Sequence, residues 1–518
     1  MESETQTSHS NRIDAMPLHE ASARGRHRAV CAVVIAIICA LSHPRLRAVE
    51  QALPSPFGSV PSERQLKWQA LEFYGLMHFG LNTYTDQEWG FGDVSPDLFN
   101  PTEFDADKVV AVAKDAGMRG LILVCKHHDG FCLWPSRFTD YSVAKSPWKD
   151  GKGDLVKDLS QACKGQGLKF GVYLSPWDRH HADYGRPEYL TYYRNQLREL
   201  LLGYGDIFMS WYDGANGGSG YYGGARETRR IDRSSYYDWP ATWEIVRQLQ
   251  PGACIFSDVG PDVRWAGNEQ GQLDDPCWYG VNTDGLYPGA PITFSLARGE
   301  RNGSHWIPPE CDASIRPGWF YHSRQDQQVK SPRQLVDLYY SSVGHGACLD
   351  LNIPLDRRGL IPDKDAANLG RFAAILNATF SVDLAHDAKP SATNARGAAK
   401  AFAPESVLDR NPMTYWCTDD SVLTPELTLE LPKPTTFNVV RVREFLPLGQ
   451  RVEGFALDEW TGSGWREFAH GVSIGSQRLL RTSRITTTQI RLRITKSAAC
   501  PAISEVAVFL EPSPAIMH

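Results

Sequence analysis

The sequence predicts an α/β protein: a (β/α)₈ TIM-like barrel followed by a C-terminal β-sandwich. Three observations carry that prediction. From about residue 66 short apolar runs alternate with amphipathic stretches of helical length, and repeated β-then-α order implies a parallel sheet. Five or more such units over roughly 300 residues, with no glycine-rich phosphate loop after the first strand, favour a closed barrel over an open doubly wound sheet. Beyond about residue 380 the helical period gives way to short alternating runs divided by turn residues, the pattern of a sandwich.

The units follow in order. "YGLMHFGL" precedes "DADKVVAVAKDAG", "GLILVCK" precedes "DLVKDLSQACKGQG", and "KFGVYLS" precedes "PEYLTYYRNQLRELLLGYG". "DIFMSWYDG" then precedes "WPATWEIVRQLQPG", and "ACIFSD" opens a fifth unit. The helical stretches end at Gly117, Gly167 and Gly205, glycine being the usual stop before the next strand. "GACLDLNIPLD" reads as a late barrel strand and "NLGRFAAILNATF" as the closing helix. The segment 385–402, rich in Ala, Ser and Lys, reads as a linker or first loop, and "LTLELP", "FNVVRVREFL", "GFALDEW" and "QIRLRITK" as sandwich strands. The expected domains are an N-terminal extension with a signal peptide (1–50), the barrel (51–380) and the sandwich (381–518).

Composition narrows the function classes. With 42% hydrophobic and 22% charged residues in 518, the chain has the makeup of an ordinary folded protein. Its formal net charge of −6 offers no basic face at the whole-chain level, so no nucleic-acid partner is expected. Arg24, Arg26 and Arg28 precede the apolar run "AVCAVVIAIICALS". That run is shorter than the ~20 residues a membrane-spanning helix needs, so it reads as a secretory signal, with a single membrane anchor as the alternative. The expected location is secreted or periplasmic, without stable membrane insertion. Removing the signal takes away Cys31 and Cys39 and leaves nine cysteines without CxxC spacing. This argues against a disulfide scaffold or zinc site and leaves room for one or two bridges.

In a barrel of this kind the chemistry sits where strands end. Strand one ends at His78, and its loop supplies Glu88 and Trp89; strand two ends in Lys126, His127, His128 and Asp129. Strand three offers Tyr173 and Trp177, and strand four ends at Asp213. Adjacent histidines on an ideal strand point to opposite faces, and no third ligand stands at zinc spacing, so no metal is expected. Histidines, a Tyr, Trp faces and a carboxylate describe a pocket for a hydroxyl-rich ring. Sugar hydrolysis generally needs two carboxyl groups. Asp213, short and fixed at a strand end, suits the nucleophile; Glu269, on a glycine-bounded loop after strand five, suits the partner, with Glu310 as its rival.

These residues lie on motifs that carry a family resemblance. "MHFGLNTY", "KHHDGFCLW", "GVYLSPWD", "WYDGANG", "VGPDVRWAGNE", "SIRPGWFYH" and "LDLNIPLDRRG" occur in one order over about residues 65 to 375. Together they resemble the α-L-fucosidases of glycoside hydrolase family 29, most closely the branch selective for α-1,3/1,4-linked fucose, in which a sandwich follows the barrel. The resemblance implies retaining hydrolysis of terminal α-L-fucose on fucosylated glycans, without a cofactor. It puts Asp213 on the nucleophile and Glu269 on the acid/base of that branch. It also puts His78, Glu88, Trp89, His127, His128 and Tyr173 on hydroxyl-binding motifs, and Trp319 beside the sugar methyl group. "DRNPMTYWCT" resembles the first loop of discoidin-like, galactose-binding sandwiches, so the C-terminal domain is expected either to bind sugar or to cap the barrel. The alternatives are a non-catalytic fucose-binding protein and a barrel hydrolase for another deoxy- or galacto-configured sugar.

Overall fold

The structure, a computed structural model, describes residues 52–290 and 294–512; the expected signal segment lies outside them. Among the described residues no helix is long and apolar enough to cross a membrane.

Eight parallel strands form the barrel: β1 (Phe73–Met77), β2 (Gly120–Lys126), β3 (Lys169–Leu174), β4 (Ile207–Trp211), β5 (Cys254–Phe256), β6 (Arg264–Trp265), β7 (Pro309–Ser314) and β8 (Cys348–Asn352). They are ordered β5-β4-β3-β2-β1-β8-β7-β6, and a single parallel bridge from Phe256 to Val263 brings the two edges together. Every residue of β1 and β2 is buried. A parallel strand covered on both faces needs such a continuous apolar run.

The outer helices begin and end where side chains can satisfy their free backbone groups. The Asp105 carboxylate accepts from Lys108 N–H (3.1 Å) at the start of α1 (Ala106–Asp115), and the Asp154 carboxylate accepts from Lys157 N–H (2.9 Å) at the start of α2 (Leu155–Gln166). Such N-caps contribute about 1 kcal/mol each. Pro187 and Pro332 occupy first turns of α3 (Pro187–Gly203) and α5 (Pro332–Ser341), where a missing N–H costs nothing. α4 (Trp239–Leu249) and α6 (Asp363–Phe380) complete the shell.

The second half of the barrel departs from the regular repeat. No helix joins β5 to β6; the turn 257–263 does so directly. The β6–β7 connection is a long excursion, 266–308, holding one short helix (Phe294–Arg298) and a pairing of Gly280–Val281 with His305–Trp306. Its Gly, Pro, Asp and Asn content disfavours a helix and favours turns.

The C-terminal part is antiparallel: β9 (Lys389–Ala392), β10 (Trp416–Cys417), β11 (Glu426–Glu444), β12 (Val452–Trp460), β13 (Trp465–Gly471), β14 (Arg478–Ser497) and β15 (Ala502–Phe509). Their order is β10-β15-β11-β14-β12-β13, with β9 on β11. The long strands β11 and β14 shift register between Glu430 and Thr435 and again between Phe437 and Val439. Bulges of this kind bend a strand, which lets two strands serve both halves of the sandwich. The expected linker 385–402 thus contains a strand, because Lys389–Ala392 finds the edge of β11 despite its poor strand composition. Leu427, Leu429, Phe437, Val440, Leu492 and Val506 fill the interior.

The two parts dock through ion pairs and rings. Arg443 Nη2 sits 2.6 Å from Glu72 Oε1, Arg481 Nη1 sits 2.6 Å from Asp337 Oδ1, and Phe509 meets Phe380 edge-on at 5.1 Å.

Candidate active site

All eight strands point their C-terminal ends to one face, and a cavity of about 330 Å³ opens there. Its floor begins with β4. Trp211, the last residue of this strand, and Asp213, two residues beyond it, line the cavity, while Tyr212 between them is buried on the other side against Trp239, ring centroids 5.3 Å apart. The Asp213 carboxylate is held from two sides: Tyr173 OH donates to Oδ2 (2.8 Å) and Ala215 N–H donates to Oδ1 (2.6 Å). His128 Nε2 stands 3.7 Å from Oδ2. Trp211 stacks between Tyr173 (4.9 Å) and Phe256 (4.2 Å), which fixes the ring carrying the Tyr173 hydroxyl.

Three histidines line the same wall. His78 Nδ1 lies 2.9 Å from Asn352 Oδ1, and burial pushes its pKa down to about 4. His127 is buried and lowered well below the usual histidine value, and His128, 2.7 Å from Ser175 Oγ, is lowered too, in both cases chiefly by burial. Neutral imidazoles each offer one donor and one acceptor, which suits sugar hydroxyls. The adjacent histidines both reach the cavity, ring centroids 4.0 Å apart, because β2 ends at Lys126 and strand alternation stops with it. Lys126 itself is fully buried away from the cavity, bonded to Asp178 Oδ2 (3.1 Å) and Gln196 Oε1 (2.9 Å).

Glu269 is exposed at the rim. Its loop is braced by Asn268, whose side-chain oxygen accepts from Gln270 N–H (3.1 Å) and Gln272 N–H (3.2 Å), and a bridge from Gln270 to Ala313 ties the loop to β7. Gly271 adopts φ +66°, and a Cβ there would stand 2.3 Å from Leu338 Cδ1, so glycine is required. Trp319 Nε1 donates to Glu269 Oε2 (3.3 Å). Although the residue is exposed as a whole, its carboxyl group is partly buried against the cavity wall; that burial, then the charges of Asp213 and Glu88, raise the Glu269 pKa above the ordinary carboxylate value, with Trp319 opposing.

Glu88 works one layer out. Its carboxylate accepts from Trp319 N–H (2.9 Å) and lies 2.6 Å from His322 Nε2, an approach that a Cβ at position 318 would block. The carboxylate therefore holds the Trp319 backbone. Trp89, half exposed, stands edge-on to His128 (5.2 Å) and Trp177 (5.6 Å) and lines the cavity, as does Trp319, 5.3 Å from His78.

Several lining residues were not anticipated: Asp258, Asp312, Arg233, Trp265, Phe256 and the Gly289–Ala290 turn. Asp258 accepts from Gly289 N–H (2.8 Å), and burial, with Asp213 nearby, lifts its pKa to about 6. It follows β5 in "ACIFSD", where the strand-end rule applies as it does to β1–β4. Asp312 accepts from Trp265 Nε1 (2.6 Å), and burial, then Glu310 and Glu269, raises it well above the ordinary range. Its stretch, "PECDAS", carries no strand signal. Arg233 has no signal either.

Glu310 lies inside the barrel with no exposed surface and does not line the cavity. It accepts from Trp211 Nε1 (2.8 Å) and from Tyr74 OH. Burial lifts its pKa from 4.5 to about 7. The folded state thus holds this proton more tightly than the unfolded chain does. The stability so gained is complete below about pH 4.5 and is lost as pH rises through about 7. Glu310→Gln, which keeps an acceptor for Trp211, therefore gains on the wild type as pH rises. Melting temperatures of both proteins at pH 5 and pH 8 check this, and parallel slopes would refute it.

Among the described residues, no group of three or more His, Cys, Asp or Glu is arranged to hold a metal ion.

Residues 57–379 match the model of the alpha-L-fucosidase family. The chain is 40% identical over 464 residues to Alpha-L-fucosidase 1 of Arabidopsis thaliana, covering 88% of this chain and 89% of that protein. A crystal structure of a putative alpha-L-fucosidase from Bacteroides thetaiotaomicron superposes with TM-score 0.81 at 38% identity, over 89% of this chain and all of that one. A glycoside hydrolase 29 fucosidase of Ruminococcus gnavus in complex with fucose gives TM-score 0.81 at 31% identity, over 89% and 97% of the two chains. With a barrel face of carboxylates, neutral histidines and indoles behind these likenesses, the chain belongs to the α-L-fucosidases of glycoside hydrolase family 29.

Proposed function

We propose that the protein is a retaining exo-enzyme that releases terminal α-1,3- or α-1,4-linked L-fucose from glycans by double displacement, with Asp213 as nucleophile and Glu269 as acid/base. The observation that carries this reading is the contrast between the two carboxyl groups across one cavity. Asp213 is clamped at a strand end by the Tyr173 hydroxyl and the Ala215 N–H, which hold its carboxylate in one orientation. Glu269 sits on a braced rim loop with its pKa raised, as a proton donor needs. A carboxylate fixed at a strand end and a second carboxyl group whose pKa is raised divide naturally into nucleophile and acid.

His78, His127, His128 and Tyr173 then bind ring hydroxyls, while Trp89 and Trp319 give apolar faces to the sugar's C–H surface. Glu88 contributes by fixing Trp319. No step in this scheme calls for a cofactor, and the basic N-terminal run suggests export to a secreted or periplasmic location. The linkage preference rests on the order of the sequence motifs and on the sandwich that follows the barrel.

The test is hydrolysis of three substrates side by side: a Lewis-type trisaccharide, an α-1,2-linked fucosyl-lactose and 4-nitrophenyl α-L-fucoside. Fucose released from the Lewis-type sugar at a much higher kcat/KM than from the α-1,2 isomer is expected; the reverse order overturns the linkage reading. Proton NMR of the first product should show the α-anomer, whereas β-fucose would make the enzyme inverting.

A smaller effect tests the clamp. Tyr173→Phe removes a hydrogen bond to a charged acceptor, an interaction of roughly 1.5–3 kcal/mol. kcat/KM should fall about 10- to 100-fold with the melting temperature little changed. An unaltered rate would remove Tyr173 from the clamp.

A further inference from the structure

The motif "DRNPMTYWCT" is not used by the barrel chemistry. It places Cys417 at the end of β10, which pairs antiparallel with the start of β15, Cys417 opposite Ala502. Cys500 lies two residues before that partner, and the two sulfurs stand 3.8 Å apart. Both residues are buried, Cys417 fully and Cys500 with 3% of its surface exposed. The surroundings are asymmetric. Arg451 Nη1 donates to Cys500 Sγ (3.0 Å) and to the Cys500 carbonyl (2.8 Å). Cys417 donates to Cys500, whose sulfur also lies 3.5 Å from Asp420 Oδ1.

We propose that Cys417 and Cys500 form a disulfide when the protein folds in an oxidising medium, locking β10 to the turn that precedes β15. Two thiols at this separation on paired segments need only small side-chain rotations to reach bonding distance. The hydrogen bond from Cys417 and then the Arg451 charge favour the Cys500 thiolate, the form that attacks, against the opposing effects of burial and the Asp420 carboxylate.

The chemistry balances with a low-molecular-weight or protein disulfide, R–S–S–R, as oxidant. Cys500 thiolate attacks one sulfur of R–S–S–R, forming Cys500–S–S–R and releasing R–S⁻. Cys417 gives its proton to water and attacks the Cys500 sulfur, displacing a second R–S⁻. The two cysteines lose two electrons and two protons, and the donor becomes two thiols. Because both sulfurs are buried in the folded chain, the bond forms while the sandwich is still assembling. The inference is independent of the barrel's catalytic residues.

The experiment uses the full chain, unfolded and refolded in a buffer of reduced and oxidised glutathione, then alkylated in denaturant without reductant and digested. The expected result is a cross-linked peptide pair carrying Cys417 and Cys500, with the other thiols alkylated. Protein refolded in dithiothreitol should also melt roughly 5–15 °C below protein refolded in the glutathione buffer, as expected for the absence of a link between residues 83 positions apart. Cys417→Ser and Cys500→Ser should each abolish that difference, and circular dichroism verifies that both variants fold. Protein with native circular dichroism that yields both cysteines as alkylated thiols overturns the proposal. So does a melting temperature that is the same after either refolding, or a cross-link that joins either residue to a different cysteine.

Discussion

Asp213→Ala reduces fucoside hydrolysis by roughly 10⁴- to 10⁶-fold, the scale on which removing one member of a covalent catalytic unit is felt, and leaves the melting temperature within a degree or two of the wild type. The rate effect is large because the side chains bonded to or touching Asp213 offer no second nucleophile. Its neighbours Tyr173 and His128 are a hydrogen-bond donor and a buried neutral ring. The stability effect is small because Asp213 is partly exposed and its loss strands only the Tyr173 hydroxyl and the Ala215 N–H, both beside a cavity that water can fill. The hole left by the missing carboxylate also admits a small anion. Azide entering there attacks the anomeric carbon from the face Asp213 used, so the variant should turn over an activated fucoside to β-fucosyl azide by one displacement. Near-normal turnover without azide, or a fucosyl azide of α-configuration from this variant, would take Asp213 out of the nucleophile's role.

Most of the floor was legible because β1 to β4 keep a strict repeat, and a barrel confines chemistry to strand ends. That rule located His78, Tyr173 and Asp213 on the cavity face without any knowledge of their partners. It faltered at His127 and His128, where alternation was carried one step past the end of the strand. It stopped short at Asp258, whose strand has three residues and no following helix, so the periodic signal fades there. Asp312 and Glu310 were harder for a physical reason. A carboxyl group can line a barrel interior when burial keeps it protonated and an indole N–H meets it, as Trp265 and Trp211 do. Nothing local in "PECDAS" distinguishes such acids from exposed ones. The strand Lys389–Ala392 was hidden likewise, since its pairing is decided by the long edge of β11 and not by its own composition.

Glu269→Gln separates substrates by their leaving groups. In the first step an acid must protonate the departing glycosidic oxygen, which matters greatly for a sugar alcohol and little for nitrophenolate. Hydrolysis of the Lewis-type trisaccharide should therefore fall about 10²- to 10⁴-fold. The first step on 4-nitrophenyl α-L-fucoside should be nearly spared while the second, which lacks its base, becomes rate-limiting. KM for the nitrophenyl substrate then drops with kcat as the fucosyl-enzyme accumulates. Azide added to Glu269→Ala intercepts that intermediate from the open face and gives the α-azide, the opposite configuration to the product expected from Asp213→Ala. The pH profile follows with a fixed sign. Glu269 acts in its protonated form in the first step, so kcat/KM declines as pH rises through its pKa. Burial, then Asp213 and Glu88, push that limb above the position of an ordinary glutamate. In Glu269→Gln the limb disappears. Equal losses on both substrates, with the basic limb intact, would mean that a different group carries the proton.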